Sequence, residues 1–206
     1  MGTVFRKFLN FFIPPSEKSR SYYDLTFLLA GHLRKHYTQS RYYFLWTVVA
    51  DRLVSAGTKS VFDIGCGPGQ VACLLGDKGI REYIGIDISW LRVRRASQAC
   101  PYPNFDFIQA DIFETSLLKT TKADAVIALE FLEHVERDRD IIEWLIPGTV
   151  FIGTVPNFPS PGHVRYFFSK TDVIHRYHDH FMNFRVDEFL ENAGGRKFYL
   201  IQGIKK

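Results

Sequence analysis

Cysteine is scarce: Cys66, Cys73 and Cys100 are the only three in 206 residues, an odd count with no C-x-x-C spacing. That argues against a disulfide framework or a thiolate zinc site and makes a reducing, cytoplasmic compartment the expectation. No uninterrupted apolar run approaches the roughly 20 residues that span a bilayer. Residues 1–13 carry Arg6 and Lys7 without a small-residue cleavage site, so no secretory signal is expected either. No appended RNA-binding module is evident. Hydrophobic residues make up 46% of the chain, enough for one large core without a second module.

What is present is unevenly distributed. Residues 1–60 hold nine Lys or Arg against three acids, and the remainder holds 17 against 19, so the formal charge of +4 conceals a basic N-terminal segment on a slightly acidic body. Val4, Phe5, Phe8, Leu9, Phe11 and Phe12 interleave with Arg6 and Lys7 ahead of Pro14 and Pro15. Two cations are few for an exposed amphipathic anchor, which favours a helix packed on the core; a peripheral contact with an anionic membrane surface or a partner is the alternative. From Ser16 to Thr58 the chain is rich in aromatics, with Leu28, Leu29, Leu33 and Leu45 in a helical pattern that predicts two or three helices.

The stretch from Val61 to Gln70, VFDIGCGPGQ, runs an apolar strand into three closely spaced glycines and then into an apolar helical segment. Gly65, Gly67 and Gly69 let a ligand approach bare backbone, while Asp63 offers an acceptor for an ammonium or hydroxyl group. The G-x-G-x-G spacing is not that of a dinucleotide fold, and an acid ahead of the first glycine suits a cationic, adenosine-bearing cofactor without pyrophosphate. A second apolar run, Tyr83 to Ile86, ends at Asp87, where a doubly wound sheet places a carboxylate for ribose hydroxyls. A third, Phe105 to Gln109, leads to Asp111 and Ile112, which suit an adenine edge. A fourth, Asp124 to Leu129, ends at Glu130. Each aspartate taken singly is equally well read as a helix cap or turn residue.

In that order VFDIGCGPGQ, YIGIDIS, FIQADIF and ALEFLEHVERD resemble the class I S-adenosylmethionine-dependent methyltransferases, over about residues 60–206. The resemblance implies an α/β, Rossmann-like fold: a seven-stranded, mostly parallel sheet flanked by helices, with residues 1–58 as an N-terminal helical lid and residues 59–206 as the cofactor-binding domain of one structural unit. It implies that Asp63, Gly65, Cys66, Gly67, Gly69 and Gln70 hold the methionine end of S-adenosylmethionine, with S-adenosylhomocysteine as product. Asp87 and Ile88 would hold ribose and adenine, Asp111 and Ile112 the adenine edge, and Glu130 would also touch the cofactor. Tyr22, Tyr23, His36, Tyr37 and Tyr42 become lid candidates, with helix-to-sheet packing as the alternative. The WLIPGT segment from Trp144 to Thr149 departs from the usual turn before the fifth strand, which bears on subfamily rather than fold.

Methyl transfer from a sulfonium needs nucleophile, carbon and sulfur in line and, for a hydroxyl acceptor, loss of a proton. His134, with an ordinary pKa of about 6.5, is the leading base, with Glu133 beside it on the expected first turn of a helix. The spacing Glu130-x-x-Glu133-His134 is similar to motifs of small-RNA 2′-O-methyltransferases and quinone-pathway O-methyltransferases, and it suits a divalent metal as well as a helix cap or cofactor contact. His180 in IHRYHDHF is the first candidate for a further ligand, ahead of an amphipathic helix bearing Phe184, Val186, Phe189 and Leu190; a solvated His-rich loop is the alternative. His163 and Arg165, in the Pro-rich loop after the fifth strand, are candidates for the acceptor pocket. The expected function is methyl transfer to a small-molecule acceptor, foremost a hydroxyl oxygen. The alternatives are RNA 2′-O-methylation, small-molecule N-methylation, and a cofactor-binding partner protein without transfer activity.

Overall fold

The computed structural model describes residues 16–206 apart from position 192; the aromatic segment of residues 4–12 lies outside the described residues. Two α-helices open the described chain, α1 (Arg20–Leu29) and α2 (Tyr43–Ser55), separated by single 3-10 turns at Gly31–Arg34 and Tyr37–Gln39. Strand and helix then alternate: β1 (Ser60–Ile64), α3 (Gln70–Asp77), β2 (Glu82–Asp87), α4 (Trp90–Ala99), β3 (Phe105–Gln109), α5 (Leu117–Thr120), β4 (Ala125–Ala128), α6 (Asp138–Glu143), β5 (Val150–Pro156) and α7 (Lys170–Tyr177). A closing pair, β6 (Phe181–Leu190) and β7 (Lys197–Lys205), completes one seven-stranded sheet in the order β3-β2-β1-β4-β5-β7-β6. The strands from β1 to β5 pair in parallel, whereas β7 runs antiparallel to both β5 and β6.

Successive strand residues divide between the two faces, as the pleat requires. Val61, Ala125, Ile152 and Leu200 join one apolar cluster with Leu45, Val49 and Leu53 of α2 and Leu74 and Leu75 of α3. Their neighbours Phe62, Val126, Phe151 and Ile201 join a second cluster with Ile141 and Ile142 of α6 and Val173 and Tyr177 of α7. Coverage of both faces explains why the parallel strands read as continuous apolar runs.

Where an amphipathic helix is expected around Phe184 to Leu190, the chain forms β6 instead. Val186 and Phe181 are buried while Glu188 and Leu190 pair along β7, so a waiting partner strand overrides the helical spacing. The first helix after β4 is likewise shorter than expected: Leu132–His134 is a 3-10 turn, and α6 begins only at Asp138. In α1 the leucines are not core, since Leu25, Leu28 and Leu29 are exposed and Phe27 is the buried residue. No helix among the described residues is long and apolar enough to cross a membrane.

Candidate active site

The carboxyl ends of β1, β2, β3 and β4 converge on a cavity of about 160 Å³ lined by Gly65, Ile86, Asp87, Ile88, Asp111 and Ile112, with Glu130, Phe131 and His134 on the β4 side. A second hollow, about 140 Å³, continues along Asp63, Gly65, Cys66, Gly67 and Gln70 to Tyr42 and Glu130. Every cofactor residue expected from the sequence except Gly69 lines one of these two spaces. Gly69 shapes the corner: its φ of +82° and a Cβ position only 2.9 Å from the Ala96 backbone leave room for glycine alone.

Asp87 organises the loop. Its Oδ2 accepts the Gly67 amide at 3.0 Å and its Oδ1 accepts the Ser89 amide at 2.8 Å. Burial raises its carboxyl above the usual range, opposed by Arg92 and the two amides. Asp63 accepts the Tyr83 hydroxyl at 2.5 Å, and burial lifts its carboxyl to about 7. Asp111 accepts the Phe113 amide at 2.9 Å, so its turn role and its place on the cavity wall coexist.

Glu130 is one of two described non-glycine residues with positive φ, at 55°. Its amide donates to Thr154 Oγ1 at 2.7 Å, and that hydroxyl donates back to Glu130 Oε1 at 3.1 Å. Burial raises its carboxyl to about 7. A strained residue held by β5 at the end of β4 fits a functional position.

The turn after Glu130 carries Glu133 and His134 against the Pro-rich loop after β5. The Val164 amide donates to the Glu133 carbonyl at 2.8 Å, and His134 Nδ1 lies 3.0 Å from the Gly162 carbonyl. His163 Nδ1 lies 3.1 Å from the Phe158 carbonyl. A carbonyl only accepts, so both histidines carry their proton on Nδ1 and keep the Nε2 lone pair. Their rings lie 4.9 Å apart, and Tyr23 meets His134 edge-on at 6.2 Å. Burial and His163 push His134 down to about 4, so it is neutral at pH 7 rather than poised near its ordinary value. Burial also lowers His163 and raises Glu133 well above the carboxylate range.

The expected metal set separates. Glu133 and His134 offer ligand atoms within 4.8 Å of one another together with His163, not with Glu130 or His180. Glu130 turns instead to Thr154. His180 lies in a 3-10 turn, its carbonyl accepting the Lys206 amide, at the far end of β7 from the glycine loop, because β7 runs away from the carboxyl edge and β6 starts at the opposite edge. Arg165 lines neither of the two spaces. It donates to the Leu132, Val135 and Glu136 carbonyls and pairs with Asp138 at 3.2 Å, clamping the turn from behind.

Of the lid candidates, Tyr23 and Tyr42 line the two spaces. Tyr22 reaches neither and packs on Tyr23 at 5.5 Å. His36 and Tyr37 line a separate hollow with Gln70 and Cys73, where the Tyr37 hydroxyl donates to Asp77. The sequence reading missed Arg92, which lines both spaces and lies over the Tyr23 ring at 5.0 Å, and Asp24, whose Oδ1 accepts the Ser89 hydroxyl at 2.6 Å. Neither stands in a motif; only the docking of α1 on α4 reveals them.

Residues 62–145, from β1 past α6, match the methyltransferase domain family. Over those residues the chain is similar to a methyltransferase domain. It is 31% identical over 100 residues to an uncharacterized methyltransferase of Mycobacterium tuberculosis, covering 48% of this chain and 50% of that protein. The chain thus spans about half the length of the curated relative it matches. Among solved structures, magnesium protoporphyrin IX methyltransferase from Synechocystis PCC 6803 with bound S-adenosylhomocysteine superposes with a TM-score of 0.69 at 18% identity, covering 91% of this chain and 98% of that one. N-methyltransferase NodS from Bradyrhizobium japonicum, also with S-adenosylhomocysteine, gives 0.63 at 16% identity, covering 80% and 87%. At such identities the structural likeness is one of fold.

Proposed function

We propose that this protein is an S-adenosylmethionine-dependent methyltransferase acting on a small-molecule acceptor, foremost at a hydroxyl oxygen. The observation that carries the reading is Asp87, a buried carboxylate at the end of β2 that holds the glycine loop and borders the same cavity as Asp111 and Ile112. That is the arrangement a ribose and its adenine need. Asp63, Gly67 and Gln70 would hold the methionine end in the adjoining hollow, and helices from residues 1–58 would cover the site as a lid.

In the transfer, a lone pair on the acceptor oxygen forms a bond to the methyl carbon while the carbon–sulfur bond breaks, leaving its electron pair on sulfur as S-adenosylhomocysteine. His134 would form the polar end of the acceptor space, with Glu133 buried behind it. With His134 neutral at pH 7, its Nε2 takes the hydroxyl proton only as the new bond forms, so orientation supplies much of the acceleration. The test is a transfer screen over catechols, phenols, amines and small RNAs with S-adenosylhomocysteine release as readout. Turnover with a hydroxyl compound supports the reading; turnover confined to amines or RNA contradicts the acceptor class.

A further inference from the structure

Glu133 is fully buried, and neither of its carboxylate oxygens has a hydrogen-bond partner from another described residue. An unpaired buried carboxylate costs several kcal/mol, and structures rarely keep one without compensation. Beside it stand two imidazoles whose Nδ1 atoms both donate to backbone carbonyls, of Gly162 and Phe158. Such a hydrogen bond fixes ring and tautomer and points the bare Nε2 elsewhere, as the outer partners of metal-bound histidines do. One donor atom from each of Glu133, His134 and His163 lies within 4.8 Å of the others.

We propose that Glu133, His134 Nε2 and His163 Nε2 bind one first-row divalent cation. The donor set is one carboxylate and two imidazoles, which favours zinc, iron or manganese over magnesium or calcium. Bonds of about 2.0–2.2 Å require the three donors to close by about an ångström or less. Three protein ligands leave coordination positions open, and His134 borders the main cavity. In the cation-loaded chain an acceptor hydroxyl bound there would be acidified by the cation and lose its proton to solvent; His134 Nε2, the base of the cation-free chain, would then be occupied as a ligand. That placement of the acceptor rests on the methyltransferase reading, whereas the binding of the cation does not. Glycine at position 162 belongs to the site: its φ of +91° brings its carbonyl to His134.

The test uses the full chain, stripped with EDTA and titrated by calorimetry with Zn2+, with Mn2+ and, separately, with S-adenosylhomocysteine. One cation per chain is expected, with affinity lowered at least about 10–100-fold in Glu133→Gln and in His163→Ala and unchanged in His180→Ala. X-ray absorption on the zinc-loaded natural chain needs no variant, and two imidazoles in the first shell are expected. Unaltered affinity in folded His163→Ala, or a shell of oxygen atoms alone, overturns the site. A chain that binds S-adenosylhomocysteine but no cation also overturns the site and leaves the methyltransferase reading standing. A chain that binds the cation but not S-adenosylhomocysteine supports the site and removes that reading.

Discussion

Asp87 joins two tasks in one carboxylate, holding the Gly67 and Ser89 amides and bordering the main cavity, the proposed cofactor space. Hydrogen bonds to a charged group contribute about 1.5–3 kcal/mol each. Asp87→Ala should therefore weaken S-adenosylhomocysteine binding by about 100-fold or more, read by calorimetry on protein whose circular dichroism is unchanged. His134 makes a prediction of a different kind. Unfolded, it takes up a proton below about pH 6.5; folded, it does so only below about 4. The folded state therefore binds fewer protons in this window, and stability present above pH 6.5 is lost as pH falls toward 4, by on the order of 2 kcal/mol at pH 5. Asp63 and Glu130, lifted to about 7, change stability in the opposite direction over this window, so the His134 contribution is read as a difference: in urea unfolding from pH 7 to pH 5 the natural chain should fall relative to His134→Asn by that amount.

At the level of elements, the corner from β1 into α3 depends on Gly69. Alanine there would meet the Ala96 backbone and hold a strained φ, so Gly69→Ala should lower stability by about 1–3 kcal/mol and weaken cofactor binding with it, measured by thermal unfolding and calorimetry. Behind the Glu133–His134 turn, fully buried Asp138 is shared by Arg165, Arg176 and the Tyr177 hydroxyl. Asp138→Ala leaves two guanidinium groups without their common partner and should cost about 3–5 kcal/mol in urea unfolding. The elements from β1 to β5 were legible because each buried strand is a short apolar run closed by a glycine loop or an acid. β6 was not, since Phe184, Val186, Phe189 and Leu190 satisfy a helical period nearly as well as the strand period, and only pairing with β7 decides between them. The residues expected to hold the cofactor were read from motifs, and all but Gly69 line one of the two spaces. The partnership of His163 with Glu133 and His134 depends on where the Pro-rich loop folds back, which no local spacing records, and the same long-range geometry removes His180 and Arg165 from both spaces.

Across the whole molecule, the basic charge lies in residues 1–60, and the remaining body is slightly acidic. A nucleic-acid acceptor would draw on that segment, and its binding would fall steeply with salt, by several orders of magnitude between 50 and 200 mM for about six to ten phosphate contacts. A small neutral acceptor predicts a KM that changes little over the same range, which steady-state assays at both concentrations would read. The helices ahead of β1 join the molecule to its site through Asp24, Tyr23 and Arg92, so a cofactor bound across β1 to β4 would also secure α1 on α4.

The carboxyl edge of this sheet is the proposed seat of S-adenosylmethionine. Isothermal titration of the full chain with S-adenosylmethionine and S-adenosylhomocysteine reads that binding without an acceptor. The prediction is one molecule bound per chain at micromolar affinity, lost in Asp87→Ala; no heat of binding with either ligand on folded protein would contradict it.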